Sequence, residues 1–140
     1  MDLGHLPAET QKLFAQTEKA ELLGEEVLEL QAFLIELDRK RNSNMECLGA
    51  FRRQEVHNTE KYWVNFGSFF IGLPRKNAYK MVEEDQTNVI KLVTQKRNEL
   101  KAKIRELITL RPNLVDMDPV VQDLLLKEQE EIREEALDEC

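Results

Sequence analysis

Thr59-Glu60-Lys61-Tyr62-Trp63-Val64-Asn65-Phe66-Gly67-Ser68-Phe69-Phe70-Ile71-Gly72-Leu73 holds most of the aromatic residues of the chain and separates two long charged segments. Gly67-Ser68 is a two-residue hairpin signal, because glycine tolerates the positive φ that a primed turn requires. Folding the chain there pairs Phe66 with Phe69, Asn65 with Phe70, Val64 with Ile71, Trp63 with Gly72 and Tyr62 with Leu73. Side chains alternate faces along a strand. Tyr62, Val64, Phe66, Phe69, Ile71 and Leu73 therefore share one apolar face, and Trp63, Asn65, Phe70 and Gly72 share the other. A two-stranded hairpin is marginal alone in water. Each large apolar side chain left wet forgoes roughly 1.5–3 kcal/mol. The first face is thus expected to be covered, and the rest of the chain offers little to cover it.

Outward from the hairpin, both flanks read as long helices. No proline interrupts Glu9 to Glu55. Leu13, Gln16, Ala20, Leu23, Val27, Leu30, Leu34, Leu37, Arg41, Asn44, Leu48 and Phe51 recur at alternating steps of three and four, a heptad seam. At 1.5 Å per residue the helix would be roughly 65–70 Å long. Gly24 and Gly49 weaken it by about 1 kcal/mol each relative to alanine. After Pro74, which stops the second strand, Asn77 is a cap for a second helix reaching about Leu110. Its seam is Tyr79, Glu83, Gln86, Ile90, Val93, Arg97, Leu100, Ile104 and Leu107. Antiparallel pairing then joins Phe51 to Tyr79, Leu48 to Glu83, Asn44 to Gln86, Leu37 to Val93, Leu30 to Leu100, Val27 to Ile104 and Leu23 to Leu107. Asn44 opposite Gln86 is a polar layer that either fixes the register or is simply wet.

Arg111-Pro112-Asn113 ends the second helix, since proline disfavours helix at the residue before it. Asp118-Pro119 resembles a cap followed by proline at the first helical position. A short third helix to about Ala136 would use Val120, Leu124 and Leu125 as its apolar face, and a disordered Glu-rich remainder fits the composition equally. The organisation expected is a flexible leader at 1–8, a helical unit at 9–111 with its hairpin at about 59–73, and an acidic tail at 112–140. The fold class is mainly α: an antiparallel two-helix coiled coil with one β-hairpin between the helices.

Charged residues make up 34% of the 140 and the formal net charge is −7. From Asp116 onward ten acids face only Lys127 and Arg133, so the acidity belongs to the tail and the body is close to neutral. The body has no global field favouring nucleic acid. Asp38-Arg39-Lys40-Arg41 is the one basic run on the first helix. Glu36, Asp38, Glu46 and Glu55 flank it without interleaved aromatics, so an ion-pair face outweighs a phosphate-binding one. Cys47 and Cys140 make no disulfide framework. No apolar run reaches membrane-spanning length, and no basic-then-apolar signal region opens the chain. A reducing compartment, the cytoplasm with the nucleus also open, is the expectation.

Enzymatic chemistry needs convergent polar groups in a concave site. His5 and His57 stand apart, Ser43 and Ser68 sit in no nucleophile motif, and Cys47 with His57 lacks the paired spacing of metal ligands. Phe-Gly-Ser-Phe-Phe-Ile-Gly has the wrong spacing for a phosphate loop, and a turn explains it. No catalytic residue, metal or cofactor is implied.

Long helix, single hairpin and long antiparallel helix resemble the layout of β-type prefoldin subunits. The hairpin Tyr62-Trp63-Val64-Asn65-Phe66-Gly67-Ser68-Phe69-Phe70-Ile71 has that family's pattern of apolar strand, glycine and apolar strand. Leu37-Asp38-Arg39-Lys40-Arg41-Asn42 and Lys80-Met81-Val82-Glu83-Glu84-Asp85-Gln86 are similar to a specialised prefoldin-like branch of it. The resemblance covers about Leu13 to Leu110 and leaves the leader and tail unmatched. It implies a subunit of a hetero-oligomeric chaperone or co-chaperone complex. Tyr62, Trp63, Val64, Phe66, Phe69, Phe70, Ile71 and Leu73 would join neighbouring hairpins in a shared β-platform. Unfolded clients would be held without nucleotide at the helix ends. Leu13 and Leu107 finish the seam, whereas Phe14 and Ile108 lie off it, so Phe14, Ile108 and Leu110 are the candidate client contacts. A coiled-coil adaptor without client binding is the alternative, and a nucleic-acid-binding coiled coil using Arg39, Lys40 and Arg41 is a more distant one.

Overall fold

A computed structural model describes residues 3–53, 61–65, 67–110 and 112–139. Phe66, His57 and Cys140 lie outside the described residues, and so does the expected Phe66–Phe69 pair. The element order is a 3₁₀ turn at Leu3–His5, α1 at Ala8–Arg52, β1 at Tyr62–Asn65, β2 at Phe70–Leu73, α2 at Arg75–Thr109, a second 3₁₀ turn at Leu114–Asp116 and α3 at Pro119–Asp138. Three helices with a two-stranded antiparallel hairpin between the first two fit the prefoldin-like fold. The chain forms two compact units, one of Leu34–Gln95 and one of Met1–Phe33 with Lys96–Cys140. Both α1 and α2 contribute a segment to each.

In the Leu34–Gln95 unit the hairpin has the register expected from the sequence. Tyr62 pairs with Leu73, Trp63 with Gly72, Val64 with Ile71 and Asn65 with Phe70. Gly67 supplies the positive φ of +78° that the turn needs. The two helical segments run antiparallel, with Leu37 packed on Val89 and Val93 and flanked by Leu34 and Leu92. A second cluster gathers Phe51, Tyr62 and Ala78, with Cys47, Val64, Leu73 and Tyr79 against it. The expectation that the chain has little to cover the Tyr62 face of the hairpin is thereby corrected. Phe51 on α1 and Ala78 on α2 cover its base, because the small Ala78 side chain admits the Phe51 ring.

The seam of α1 is buried as expected over Ala20, Leu23, Val27, Leu30, Leu37, Leu48 and Phe51. The seam of α2 near the hairpin is not the expected one. Ala78, Val82 and Val89 are buried, while Glu83 is exposed and Ile90 is 50% exposed. Each residue turns a helix by a little over a quarter of a revolution. A shift of one position therefore removes the Glu83 carboxylate from the apolar seam and presents Val82 in its place, avoiding the cost of burying an unpaired charge. The polar layer is rearranged accordingly. Asn44 Nδ2 donates to Asp85 Oδ2 at 2.8 Å, and Gln86 Nε2 donates to the Arg41 carbonyl at 3.1 Å.

In the other unit Leu100, Ile104 and Leu107 of α2 are buried together with Val121 and Leu125 of α3. Lys103 Nζ meets Glu26 Oε2 at 2.7 Å and Lys19 Nζ meets Glu106 Oε1 at 3.2 Å. The Glu26 hydrogen bond holds the Lys103 ammonium above the ordinary lysine range. Lys19 thus lies level with the last turn of α2. Leu13 and Gln16, upstream of it, have no turn of α2 opposite them and are exposed, so the seam stops at Ala20 rather than Leu13.

The tail from Pro119 is a full helix. Asp118 caps it by accepting from the Val120 amide at 2.9 Å, and Pro119 opens it. Its buried face is Val121 and Leu125, with Leu124 half-buried and Val120 outward, one position on from the face expected. Glu128 is buried beside Arg105, whose Nε donates to Oε1 at 2.7 Å, and Lys101 stands 3.9 Å away. Arg105 also reaches Glu135 at 3.3 Å. The Glu128 bond, with help from Glu135, raises the Arg105 guanidinium further above its usual range.

Two outcomes follow from this packing. Val89→Ala is expected to cost on the order of 2 kcal/mol of unfolding free energy, and Ile90→Ala well under half of that, measured by urea denaturation. The opposite ranking would restore the original seam. Arg105→Ala strands the buried Glu128 carboxylate. Amide exchange along Pro119–Asp138 is therefore expected to accelerate while Val27 and Val93 stay protected, and Arg105→Ala with Glu128→Leu is expected to recover protection.

Candidate protein-interaction site

The hairpin presents two unlike faces. Tyr62, Val64 and Leu73 pack on the Phe51–Ala78 cluster, and Ile71 is half-buried. The Phe51 ring lies 5.5 Å from that of Tyr62 and 5.8 Å, edge-on, from that of Tyr79. The Arg75 guanidinium stacks 5.4 Å from the Phe51 centroid and donates to the Phe51 carbonyl at 2.9 Å. These contacts seat the hairpin base. On the opposite face Trp63 and Phe70 are 68% and 64% exposed, and Phe69 beside the turn is 56% exposed. Gly72 sits across from Trp63, and a Cβ there would lie only 3.4 Å from the indole. The indole therefore rests against bare backbone.

Of the eight hairpin residues singled out in the sequence, Trp63 and Phe70 form the exposed aromatic face, and Phe69 is exposed beside the turn. Tyr62, Val64 and Leu73 are committed to the inner cluster. Phe66 is outside the described residues. The sequence reading rested its argument on the Tyr62 face, which the chain itself partly covers, and counted Trp63 and Phe70 of the exposed face among the assembly residues as well.

The candidate client contacts lie in the Met1–Phe33 and Lys96–Cys140 unit. Phe14 is 41% exposed, and Ile108 and Leu110 are half-buried. Leu110, but neither Phe14 nor Ile108, lines an open cleft of about 600 Å³. Leu13, Ala20, Gly24 and Leu28 of α1 form one wall, and Leu110, Pro112, Met117 and Val121 the other. Gln122 holds the second wall in shape by donating to the carbonyls of Leu114 and Met117. The sequence reading missed Leu28, Met117 and Val121. Leu28 lies off the heptad and Met117 in a turn, so no periodicity marks them.

The basic run is occupied. Arg39 pairs with Glu36 at 2.6 Å, Arg41 with Asp38 at 2.9 Å and Lys40 with Asp85 at 3.4 Å. Cations held this way are poorly placed for phosphate contacts. Burial pushes the Cys47 thiol up, the opposite of what a reactive thiolate needs. Among the described residues no three His, Cys, Asp or Glu side chains form a group that could hold a metal, and no helix is long and apolar enough to cross a membrane.

No protein-family model matches the chain, and no solved structure does. Five named relatives do, among them the following three. The p53 and DNA damage-regulated protein 1 of Bos taurus is 33% identical over 124 residues, spanning 86% of this chain and 92% of that protein. The human protein of that name is 32% identical over the same shares. The mouse one is 31% identical over 102 residues, or 73% of this chain and 76% of that protein. The resemblance in Leu37–Asn42, Lys80–Gln86 and the hairpin thus extends over most of the sequence. The chain belongs to the family of p53 and DNA damage-regulated protein 1, a prefoldin-like family.

Proposed function

We propose that this chain is a subunit of a prefoldin-like hetero-oligomer, joined to neighbouring subunits through its hairpin. It assists protein folding or complex assembly by holding unfolded clients without nucleotide. The observation that carries the reading is the exposed aromatic face of Trp63 and Phe70, with Phe69 exposed beside the turn, on a hairpin whose other face is seated at its base on Phe51 and Ala78. A rigid seat with a wet aromatic face is a docking surface rather than a core. Aromatic residues are also favoured where subunits meet. Edge strands β1 and β2 offer backbone groups to a neighbouring hairpin at the same place. Membership of a prefoldin-like family supports hetero-oligomeric partners of the same kind, and a larger co-chaperone assembly is a further part of the proposal. Clients are held at Phe14, Ile108 and Leu110, and no enzymatic step or cofactor is involved. The chain works in the cytoplasm, with the nucleus a second location.

The second reading, an adaptor without client binding, draws on the half-buried state of Ile108 and Leu110. Two variants separate the parts of the proposal. Trp63→Ser with Phe70→Ser forgoes roughly 1.5–3 kcal/mol of burial at each position. Co-purification with prefoldin-like subunits is expected to fall at least about a hundredfold while the thermal melt of the chain is kept. Unchanged co-purification would remove the hairpin as the joint. Phe14→Ser with Ile108→Ser is expected to weaken suppression of client aggregation by the assembled complex. No change there would favour the adaptor.

A further inference from the structure

The cleft walled by α1 and the Leu110–Val121 segment combines two properties. Its walls carry Leu13, Ala20, Leu28, Leu110, Met117 and Val121, and its rim carries the carboxylates of Glu21, Glu25, Asp116 and Asp118. None of the described residues lining it is a cation. Asp118 is engaged by the Val120 amide and Asp116 by Asn113 Nδ2. Glu21 and Glu25 make no ion pair among the described residues, although most cations nearby in the unit are already matched to acids.

Gly24 lies between them in the floor. Among the described residues a Cβ there would meet only Met117 Cε, at 3.8 Å, an ordinary contact. Packing therefore does not demand glycine, yet glycine costs the helix about 1 kcal/mol relative to alanine. What glycine supplies is bare helix backbone that a ligand can approach closely.

From these features we infer that the cleft binds a cationic amphipathic segment of a partner protein, with apolar side chains against the walls and lysines or arginines on the carboxylate rim. A free cation would leave the apolar walls wet. A wholly apolar segment would bring four carboxylates against surface that cannot solvate them. A segment with both properties satisfies both. The site goes beyond the hairpin reading and shares only Leu110 with the proposed client contacts, since most of one wall comes from the turn and helix after Pro112, outside the two-helix layout.

The test is a fluorescence-anisotropy titration of the full chain with a labelled synthetic amphipathic helix of leucine and lysine. That peptide is expected to bind, with affinity falling as salt rises. Versions with lysine replaced by glutamate, or leucine by serine, are expected to bind at least about tenfold more weakly. Gly24→Leu, which fills the floor, is expected to weaken binding about tenfold, and Glu21→Gln with Glu25→Gln to flatten the salt dependence. The second variant changes exposed residues alone and keeps the test decisive if the first does not fold. Trp63→Ser with Phe70→Ser is expected to leave peptide binding intact even where it abolishes subunit assembly. Absence of binding to the unaltered chain, equal binding of the glutamate peptide, or full binding to the Glu21 and Glu25 variant would overturn the inference. So would loss of binding on the hairpin variant. Self-association of the chain that Gly24→Leu disperses would assign the cleft to a second copy and overturn it too.

Discussion

The Phe51 ring is where three elements of the Leu34–Gln95 unit meet. It is the penultimate residue of α1, it packs against Tyr62 at the start of β1, and Arg75 at the start of α2 both stacks on it and binds its carbonyl. A lone hairpin cannot support itself in water. Tied at its base to two helix ends, it becomes part of a folded unit. Because one face is consumed by that attachment, the alternation of the strands leaves the other face outward. The exposure of Trp63 and Phe70 is thus a consequence of how Phe51 is satisfied.

Strand pairing was legible because a turn with glycine at the required φ leaves one register once the strand residues are read outward from it. The α1 seam was legible because its apolar residues recur without a competing pattern. On α2 two readings one residue apart were both available, Tyr79-Glu83-Gln86-Ile90 and Ala78-Val82-Asp85-Val89. Counting apolar spacing did not weigh the burial of Glu83 heavily enough. The inward face of the hairpin failed for a different reason. It depends on Phe51 and Ala78 being brought to the same place, which is a tertiary fact that no local spacing encodes. The same holds for Glu128, a glutamate whose burial makes sense only beside Arg105 and Lys101. Of the candidate client residues, Leu110 alone falls in the cleft, since the cleft is made by a turn and helix whose packing the composition left open.

The polar layer shows how specificity and stability are traded in one short segment. Asn44, Asp85, Gln86 and Arg41 hold one another across α1 and α2, while Gln86 Oε1 and Arg41 Nε are buried without a hydrogen bond. Leaving a buried polar atom unmatched costs about 1–3 kcal/mol. Such a layer weakens the pairing but penalises slippage, since any other register would place these groups against valine or leucine. Lys40, drawn to Asp85 at 3.4 Å, adds a charge contact at the same level.

Trp63 is the single tryptophan of the chain, and it lies on the open side of the hairpin over Gly72. An indole in water emits at longer wavelength than one in an apolar contact. The proposed docking surface therefore carries its own optical reporter, and no dye need be attached to watch that surface become dry.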